Sequence, residues 1–543
     1  MVYGMDQPGS PVFDPSFWNA KPTGDSSRVP GAFRQTERQN RKTSSGMKNR
    51  SCILTLAAAA SFAATAANCL DTTPVLDARP EYMKLHAKAI DLARRHVEKL
   101  DGWKPQLVCF PGVRTIWQWD SCLMALFAGY TPSGLDGLGN LDNLYGMQAD
   151  DGFMAMAYNY DTRQPEWRGR INPPLFAWCE WLYARRTGDT GRLPRAYAVC
   201  TRYFRWLKEN RTRRNGLYWF EDTGSSGMDN SPRSGYWAYD LKGSDVCFVD
   251  LCCQQVLAAK CLAKIASVLG KAGESAEWTR EAGELAMKIN RLMWCGKTGF
   301  YHDVFVDTNN KLAVKTAAAF WSLVSGVADG EKAVRLAAHL DNPDTFGSPN
   351  PVPSLSRDDP NYDPDGGYWL GGAWPPVVYM VCCGLRENGM RGLARSIAAR
   401  HLDCMAAVME AAGYGGTIWE CYSPEHTAPA TKYGGRLCRR DFVGWGGLGP
   451  LVMLVEDIIG LDVNALEGRI DWTVSEPGRQ GLRDFPFNGG KVSLVADADP
   501  KTGVVAVEVE SDRAFRLRIA LPDGRVLVDR EVHPGSGQRI ESK

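Results

Sequence analysis

The amino-acid sequence predicts a mainly α-helical protein, an (α/α)6 toroid or barrel, with a small C-terminal β-sandwich-like domain. Three observations lead to this prediction. From about residue 76 to 465, apolar residues recur at three- and four-residue spacing, which is typical of amphipathic helices. The loops between these segments are rich in glycine and aromatic residues. After about residue 468 the pattern changes to the two-residue alternation of strands.

The predicted helices lie between recognisable start and stop signals. The segment 173–187, for example, begins at two prolines and ends before Gly188. We predict helices over residues 81–100, 120–129, 173–187, 190–209, 244–269, 273–294, 314–326, 331–340, 372–386, 388–411 and 443–459. Helices in series with long loops favour a toroid over residues 76–465, in which loops at one end meet at a central pocket. A helical solenoid is the structural alternative, but the sequence has no repeat of fixed period.

The C-terminal residues 468–543 are predicted to form the small β domain. Alternating runs occur at residues 492–496, 503–509 and 515–521. Turn signals containing proline, glycine or aspartate separate these runs, so each run reads as one strand of a compact sheet structure.

The N-terminal part reads as a targeting region. Residues 1–46 are rich in Pro, Gly, Ser, Asn and Arg, which predicts disorder. Residues 47–67 have a basic start, a short apolar core and an Ala64-Thr65-Ala66 site, as secretory signal peptides do. We therefore expect translation to begin at Met47 and the protein to be exported, to the periplasm or the outside. A chance alanine-rich helix is the alternative.

Composition narrows the function classes. The net charge is +1 with acids and bases interspersed, which gives no indication of a nucleic acid or membrane partner. The 18 Trp are many for the length, and Trp beside loop glycines is typical of carbohydrate-stacking surfaces. The 16 Cys include no C-x-x-C pair and the 7 His are scattered, so the sequence predicts no metal site and no cofactor.

Two carboxylates in separate glycine-rich loops are the candidate catalytic pair. Glu420 follows the glycine pair Gly415-Gly416 and stands between aromatic residues, and Asp229 lies in a loop between helical stretches. Glycines allow tight turns and close approach to a ligand. Two such carboxylates suit glycoside hydrolysis, which needs one acid and one base or nucleophile. For each carboxylate, the alternative is an ordinary role in capping a helix or pairing with an arginine.

Further aromatic and polar clusters stand at loop-to-helix junctions, and they supply candidate substrate-binding residues. A carboxylate flanked by Trp, such as Asp120, suits sugar hydroxyls through charge-assisted hydrogen bonds, although a helix N-cap is an equal alternative there. The candidate substrate-binding residues are Trp117, Trp119, Asp120, Asn172, Arg233, Trp369, Trp374, Trp419, Tyr422 and Trp445.

Six of these segments, in order, resemble glycoside hydrolase family 63 and its relatives, including the mannosylglycerate hydrolases and, more distantly, the trehalases. The matching segments are Trp119-Asp120-Ser121, Asn172-Pro173-Pro174, residues 227–233, residues 368–376, residues 419–424 and residues 442–445. The trehalase signatures are incomplete, since Gln118 stands where those enzymes have an aromatic residue, and this argues against trehalose as the substrate. We do not expect the large β domain that precedes the toroid in many members, because the predicted toroid begins close to the predicted signal cleavage site.

The resemblance implies an inverting α-glycosidase with Asp229 as general acid and Glu420 as general base, acting on α-glucosyl or α-mannosyl bonds of an oligosaccharide or small glycoside. Asp229 would then have to stay protonated near neutral pH, and the nearby acidic residues Glu221, Asp222 and Asp240 are candidates for the like charge that favours this.

Three other functions remain open. A sugar epimerase on the same fold would need a pair of catalytic His, and a polysaccharide lyase would need Tyr, His or Arg and a basic cleft. A carbohydrate-binding protein without catalysis would keep the Trp residues.

Overall fold

The computed structural model describes residues 72–167, 169–234 and 245–542. The predicted disordered stretch 1–46 and the predicted signal peptide 47–67 lie outside this part of the chain. In the described part, twelve helices dominate the region before residue 460, and the last of them is a π-helix. Helices α1 to α12 span Pro80–Arg95, Gln118–Ala125, Leu138–Tyr145, Phe176–Thr187, Leu193–Asn210, Val249–Val268, Ala272–Leu292, Trp321–Val324, Gly330–Ala337, Pro375–Glu387, Arg391–Glu410 and Leu448–Ile459.

Most helices lie where the apolar period predicts them, and local chemistry explains their ends. Helix α4 stops where Gly188 takes φ +77°, a left-handed conformation that favours glycine. Helix α10 begins at Pro375 and Pro376, whose fixed φ suits the first helical turn. Several predicted helices are shorter than expected. Residues 314–326 form a 3-10 turn at Ala317–Phe320 followed by the short α8, and 443–459 yields α12 only from Leu448 onward.

Consecutive helices pack in pairs. Helix α4 contacts α5, α6 contacts α7, and α10 contacts α11. Helix α6 is long and apolar enough to cross a membrane by composition, yet most of its side chains are buried inside the protein. It also contacts α4, α5 and α8, so it is a core helix around which neighbouring pairs are arranged.

The C-terminal region is built of strands. Strands β11 to β18 span Leu461–Asn464, Arg469–Thr473, Gly478–Phe487, Gly490–Asp499, Val504–Ser511, Phe515–Ala520, Val526–Val532 and Gly535–Glu541. Strands β14, β15 and β16 confirm the three predicted runs. One sheet has the order β11-β12-β16-β17. The other has β1-β13-β14-β15-β18, in which β1 (Thr73–Leu76) pairs antiparallel with β13.

Short strands also occur between the helices, in the described part of the chain. Strands β2 to β10 span Val97–Glu98, Gln106–Leu107, Thr115–Trp117, Ala157–Asn159, Pro165–Glu166, Val246–Cys247, Trp294–Cys295, Phe300–Tyr301 and Val304–Phe305. The three-stranded sheet β4-β5-β6 leads directly into α2 and its candidate site residues. The prediction of a mainly α protein with a C-terminal β region is confirmed.

Candidate active site

Glu420 lies buried in an extended segment that follows α11. Its backbone N–H donates to the carbonyl of Arg439, and this hydrogen bond holds the Glu420 segment against the segment that contains Arg439. Its carboxylate accepts hydrogen bonds from the Tyr368 hydroxyl at 3.1 Å and from the Arg439 backbone N–H at 3.0 Å. The Lys432 ammonium forms an ion pair with Oε2 at 2.8 Å. The carboxylate is thus oriented by three donors, one of which is a cation.

Lys432 and Tyr368 are site residues that the sequence analysis missed. The Lys432 nitrogen lies 4.2 Å from the centre of the Tyr368 ring, so the two side chains contact each other as well as Glu420. Tyr368 has φ +66°, a strained value for a residue with a bulky side chain. Its place within the aromatic segment 368–376 was a signal for Tyr368, whereas no spacing in the sequence connects Lys432 with Glu420.

Asp229 lies on a loop that is tied to the Tyr368 segment. The Asn230 side chain donates to the carbonyl of Gly367 and accepts from the N–H of Trp369, both at 2.9 Å. The Thr223 hydroxyl donates to the Asp229 carbonyl at 2.6 Å. These bonds fix the loop that carries Asp229 against the segment that orients Glu420.

Gly227 packs this loop closely against Trp119. It has φ +78°, and a Cβ atom there would lie 3.3 Å from the Trp119 ring. The backbone conformation therefore favours glycine, and the close approach of the Trp119 ring adds to this preference.

The Asp229 carboxyl group is exposed to solvent but lies on a concave surface surrounded by protein. Desolvation by the surrounding protein raises the pKa of Asp229 to about 7, and the negative charge of Glu420 acts in the same direction. The Lys432 cation lowers this pKa, and Asp222 adds a smaller upward effect. Of the three acidic residues suggested from sequence, Asp222 thus contributes, Glu221 is paired with Arg211, and Asp240 lies outside the described residues.

Asp120 is in the same electrostatic neighbourhood. It is half-buried in the first turn of α2, and its Oδ1 accepts a hydrogen bond from the Cys109 thiol at 3.0 Å. Burial, together with a smaller effect of the Glu420 charge, raises the pKa of Asp120 to about 7. The N-cap alternative is wrong because α2 begins at Gln118, which makes Trp117 the capping position.

Four of the predicted tryptophans form a buried aromatic wall. The rings of Trp369 and Trp374 are stacked with centroids 3.9 Å apart. Trp445 meets Trp374 edge-on at 5.8 Å and Trp119 at 6.3 Å. The Trp445 indole N–H donates to the Glu420 carbonyl at 2.8 Å, so this wall supports the Glu420 segment directly.

Three other candidates are buried and contact protein groups. Asn172 donates to the carbonyl of Ser225 in the Asp229 loop at 3.1 Å. The Tyr422 hydroxyl accepts from the backbone N–H of Trp419 at 3.1 Å, and the Trp419 ring meets Tyr414 edge-on at 6.3 Å. These contacts join site segments to one another and to their surroundings.

Arg233 lies at the centre of a buried ion cluster. Its guanidinium forms two hydrogen bonds each with Asp250 and Asp303, at 2.6 to 2.9 Å. The Arg233 side chain is 1% exposed, so its donors are committed to these carboxylates. Trp117, in contrast, is half-buried and stacks on Trp167.

Metal-binding side chains do not converge in the described chain. Across residues 72–167, 169–234 and 245–542, no group of three or more His, Cys, Asp and Glu side chains has an arrangement that would hold a metal ion.

Several known proteins are similar to this chain. An uncharacterized protein of Borreliella burgdorferi is 26% identical over 411 residues, 74% of this chain and 84% of that protein. A periplasmic trehalase of Salmonella schwarzengrund is 22% identical over 369 residues, and the matched part is 57% of this chain and 62% of the trehalase. The crystal structure of the GH63 mannosylglycerate hydrolase from Thermus thermophilus in complex with glucose matches with a TM-score of 0.54 and 22% identity, over 68% of this chain and 99% of that one.

The family itself follows from a match to a family model. Residues 114–442, more than half of the chain, match the model of the mannosylglycerate hydrolase MGH1-like glycoside hydrolase domain. The chain belongs to this family of glycoside hydrolases.

Proposed function

We propose that the protein is an exported, inverting α-glycosidase in which Asp229 is the general acid and Glu420 the general base. One observation carries this proposal: two carboxyl groups that influence each other lie in different electrostatic environments. The pKa of Asp229 is raised to about 7, while Glu420 is paired with Lys432 at 2.8 Å. Such a difference between two carboxyl groups is typical of an acid–base pair.

In this mechanism Glu420 removes a proton from a water molecule, and that water attacks the anomeric carbon. Asp229 gives its proton to the leaving oxygen at the same time. The tryptophan wall and Asp120 would hold the sugar ring, and Lys432 and Tyr368 would keep the base oriented. In an inverting enzyme the two carboxyl groups stand roughly 6.5–9.5 Å apart, which leaves room for the water.

The fold we propose for the helical region is an (α/α)6 toroid covering residues 76–465, with residues 468–543 as the small β domain. The pairwise packing of α4 with α5, α6 with α7 and α10 with α11 supports this arrangement. The similarity in fold to the Thermus enzyme, over 68% of the chain, supports it as well.

Export is proposed from residues 47–67, and similarity to a trehalase named as periplasmic agrees with it. For the substrate we propose an α-glucosyl or α-mannosyl glycoside. Membership of a glycoside hydrolase family favours hydrolysis over epimerase or lyase chemistry. A carbohydrate-binding protein that does not catalyse remains the alternative for the experiment to decide.

The test is hydrolysis of a panel of α-glucosides and α-mannosides by the full chain, with Asp229→Asn and Glu420→Gln in parallel. We expect release of free sugar by the wild type and losses of at least about 100-fold in Glu420→Gln. Binding of the same sugars without turnover would instead establish the binding-protein alternative. Turnover that survives Glu420→Gln would overturn the assignment of the base.

A further inference from the structure

Trp117 and Trp167 form a stacked aromatic pair at the edge of the candidate site. Their ring centroids are 5.0 Å apart and their planes differ by 30°. Trp167 is 40% exposed, which is unusual for so large an apolar side chain. It also has φ +48°, a value that strains a residue with a Cβ atom. A strained backbone that presents a tryptophan to solvent points to a function for that side chain.

The pair is built into the sheet that leads to Asp120. Trp117 is the last residue of β4, and across β5 it lies in register with Glu166, the residue before Trp167. Glu166 is fixed by hydrogen bonds from Thr115 and Asn159, both at 3.1 Å. Thr115, Trp117 and Asp120 line one small cavity, so the Trp117 member of the pair borders the same space as Asp120.

The Trp167 turn is also tied to the loop of the proposed acid. Arg170 donates its backbone N–H to the Trp167 carbonyl, and its guanidinium pairs with Asp222 at 2.5 Å. Asp222 belongs to the loop that carries Asp229. This ion pair links the Trp167 turn to the loop of the proposed general acid, whose proton goes to the leaving group.

We propose that Trp117 and Trp167 form a sugar-stacking platform for the leaving group, so that the preferred substrate is an α-linked oligosaccharide rather than a glycoside of a small, non-sugar group. This deepens the proposed function and rests on it. A flat apolar face with polar neighbours matches the alternating apolar and hydroxyl surfaces of a pyranose ring. Here Glu166 and Arg170 supply the polar neighbours.

The experiment compares two substrates in the full-length enzyme: an α-glycosyl fluoride, which has no leaving-group ring, and an α-linked trisaccharide of the same sugar. Trp167→Ala should lower kcat/KM for the trisaccharide by about tenfold, as expected for the loss of one aromatic contact, and change it less than about twofold for the fluoride. Trp167→Phe, which keeps a ring, should retain most of the activity on the trisaccharide. This variant shows whether a loss in Trp167→Ala comes from the missing ring rather than from misfolding. Trp294→Ala is the matched control, because Trp294 is also partly exposed and packs against an aromatic neighbour, Tyr301, at 4.8 Å between ring centroids.

Equal losses on both substrates in Trp167→Ala, or no loss on either, would overturn the platform. If the wild type hydrolyses neither substrate, the proposed function fails, and calorimetric titration with the trisaccharide then decides on the platform. Binding that weakens in Trp167→Ala would support it. Equal binding by the variant, or no binding by the wild type, would overturn it.

Discussion

The Lys432 ammonium group lies 2.8 Å from a carboxylate oxygen of Glu420, which is itself 3% exposed. The same cation lowers the pKa of Asp229, while Glu420 raises it. Lys432 therefore acts on both carboxyl groups of the proposed acid–base pair, and its position links the charge of one group to the protonation of the other.

Replacing this cation should move the pH dependence of the reaction. In Lys432→Met the Glu420 carboxylate loses its partner cation, and the pKa of Asp229 rises because the nearby positive charge is lost. We expect kcat at neutral pH to fall by roughly 100-fold and the optimum of kcat/KM to shift to higher pH. Lys432→Arg keeps the charge and should retain more activity. A pH–rate profile of Lys432→Met that matches the wild type would show that Lys432 has only a structural role.

The wild-type enzyme should lose activity above neutral pH. The general acid must carry a proton, and the pKa of Asp229 is about 7, so kcat/KM should fall about tenfold per pH unit above that value. In Asp229→Asn this basic limb should disappear from the residual hydrolysis of the same substrate, because no acid with a pKa of about 7 remains at that position. A basic limb that persists unchanged in Asp229→Asn would assign it to another group.

Asp229→Asn should also be more stable than the wild type at neutral pH. The folded-state pKa of Asp229, about 7, lies above its ordinary value of 3.8, so the folded protein binds more protons than the unfolded chain between these values. Stability from this group is thus present at low pH and is lost as pH rises to about 7. Because the side chain is exposed, solvent screening reduces the effect, and we expect Asp229→Asn to gain only about 0.5–2 kcal/mol at pH 8 and little near pH 4. Melting temperatures at both pH values measure this, and a variant less stable than the wild type at pH 8 would contradict it.

Arg233→Met should destabilise the fold. It leaves Asp250 and Asp303 buried without their cation, and breaking such a pair costs about 3–5 kcal/mol. The matched control is Arg214→Met, since the pair of Arg214 with Asp307 is exposed and should contribute about 0–1 kcal/mol. Urea unfolding of both variants measures the difference. Wild-type stability in Arg233→Met together with a raised KM would instead support the sequence-based prediction that Arg233 binds the substrate.

The sequence was most informative where local chemistry decides the structure. The end of α4 at Gly188 and the start of α10 at two prolines follow from backbone preferences of those residues. The strand β1 could not be predicted as part of the C-terminal sheet, because its partner β13 lies about four hundred residues further along the chain. The start of α12 also differs from the prediction, because residues Trp445–Gly447 form a separate 3-10 turn, which the apolar period does not distinguish from the first turn of the longer helix.

In the candidate site, too, local sequence identifies some residues and long-range contacts determine the others. Asp229 and Glu420 stand out in the sequence because glycines and aromatic residues surround each of them. Lys432 does not, since its role depends on a turn that brings it back onto Glu420. The sequence leaves an N-cap role open for Asp120, because it does not show that α2 starts two residues earlier, at Gln118.

The anomer of the first product distinguishes an inverting acid–base pair of Asp229 and Glu420 from a retaining mechanism. The full-length enzyme is given an aryl α-mannoside and an aryl α-glucoside, and NMR follows the sugar before it mutarotates, with Glu420→Gln as the inactive control. We expect the β-anomer to appear first and Glu420→Gln to release none. First release of the α-anomer would mean retention, and would contradict the assignment of Glu420 as a base that activates water.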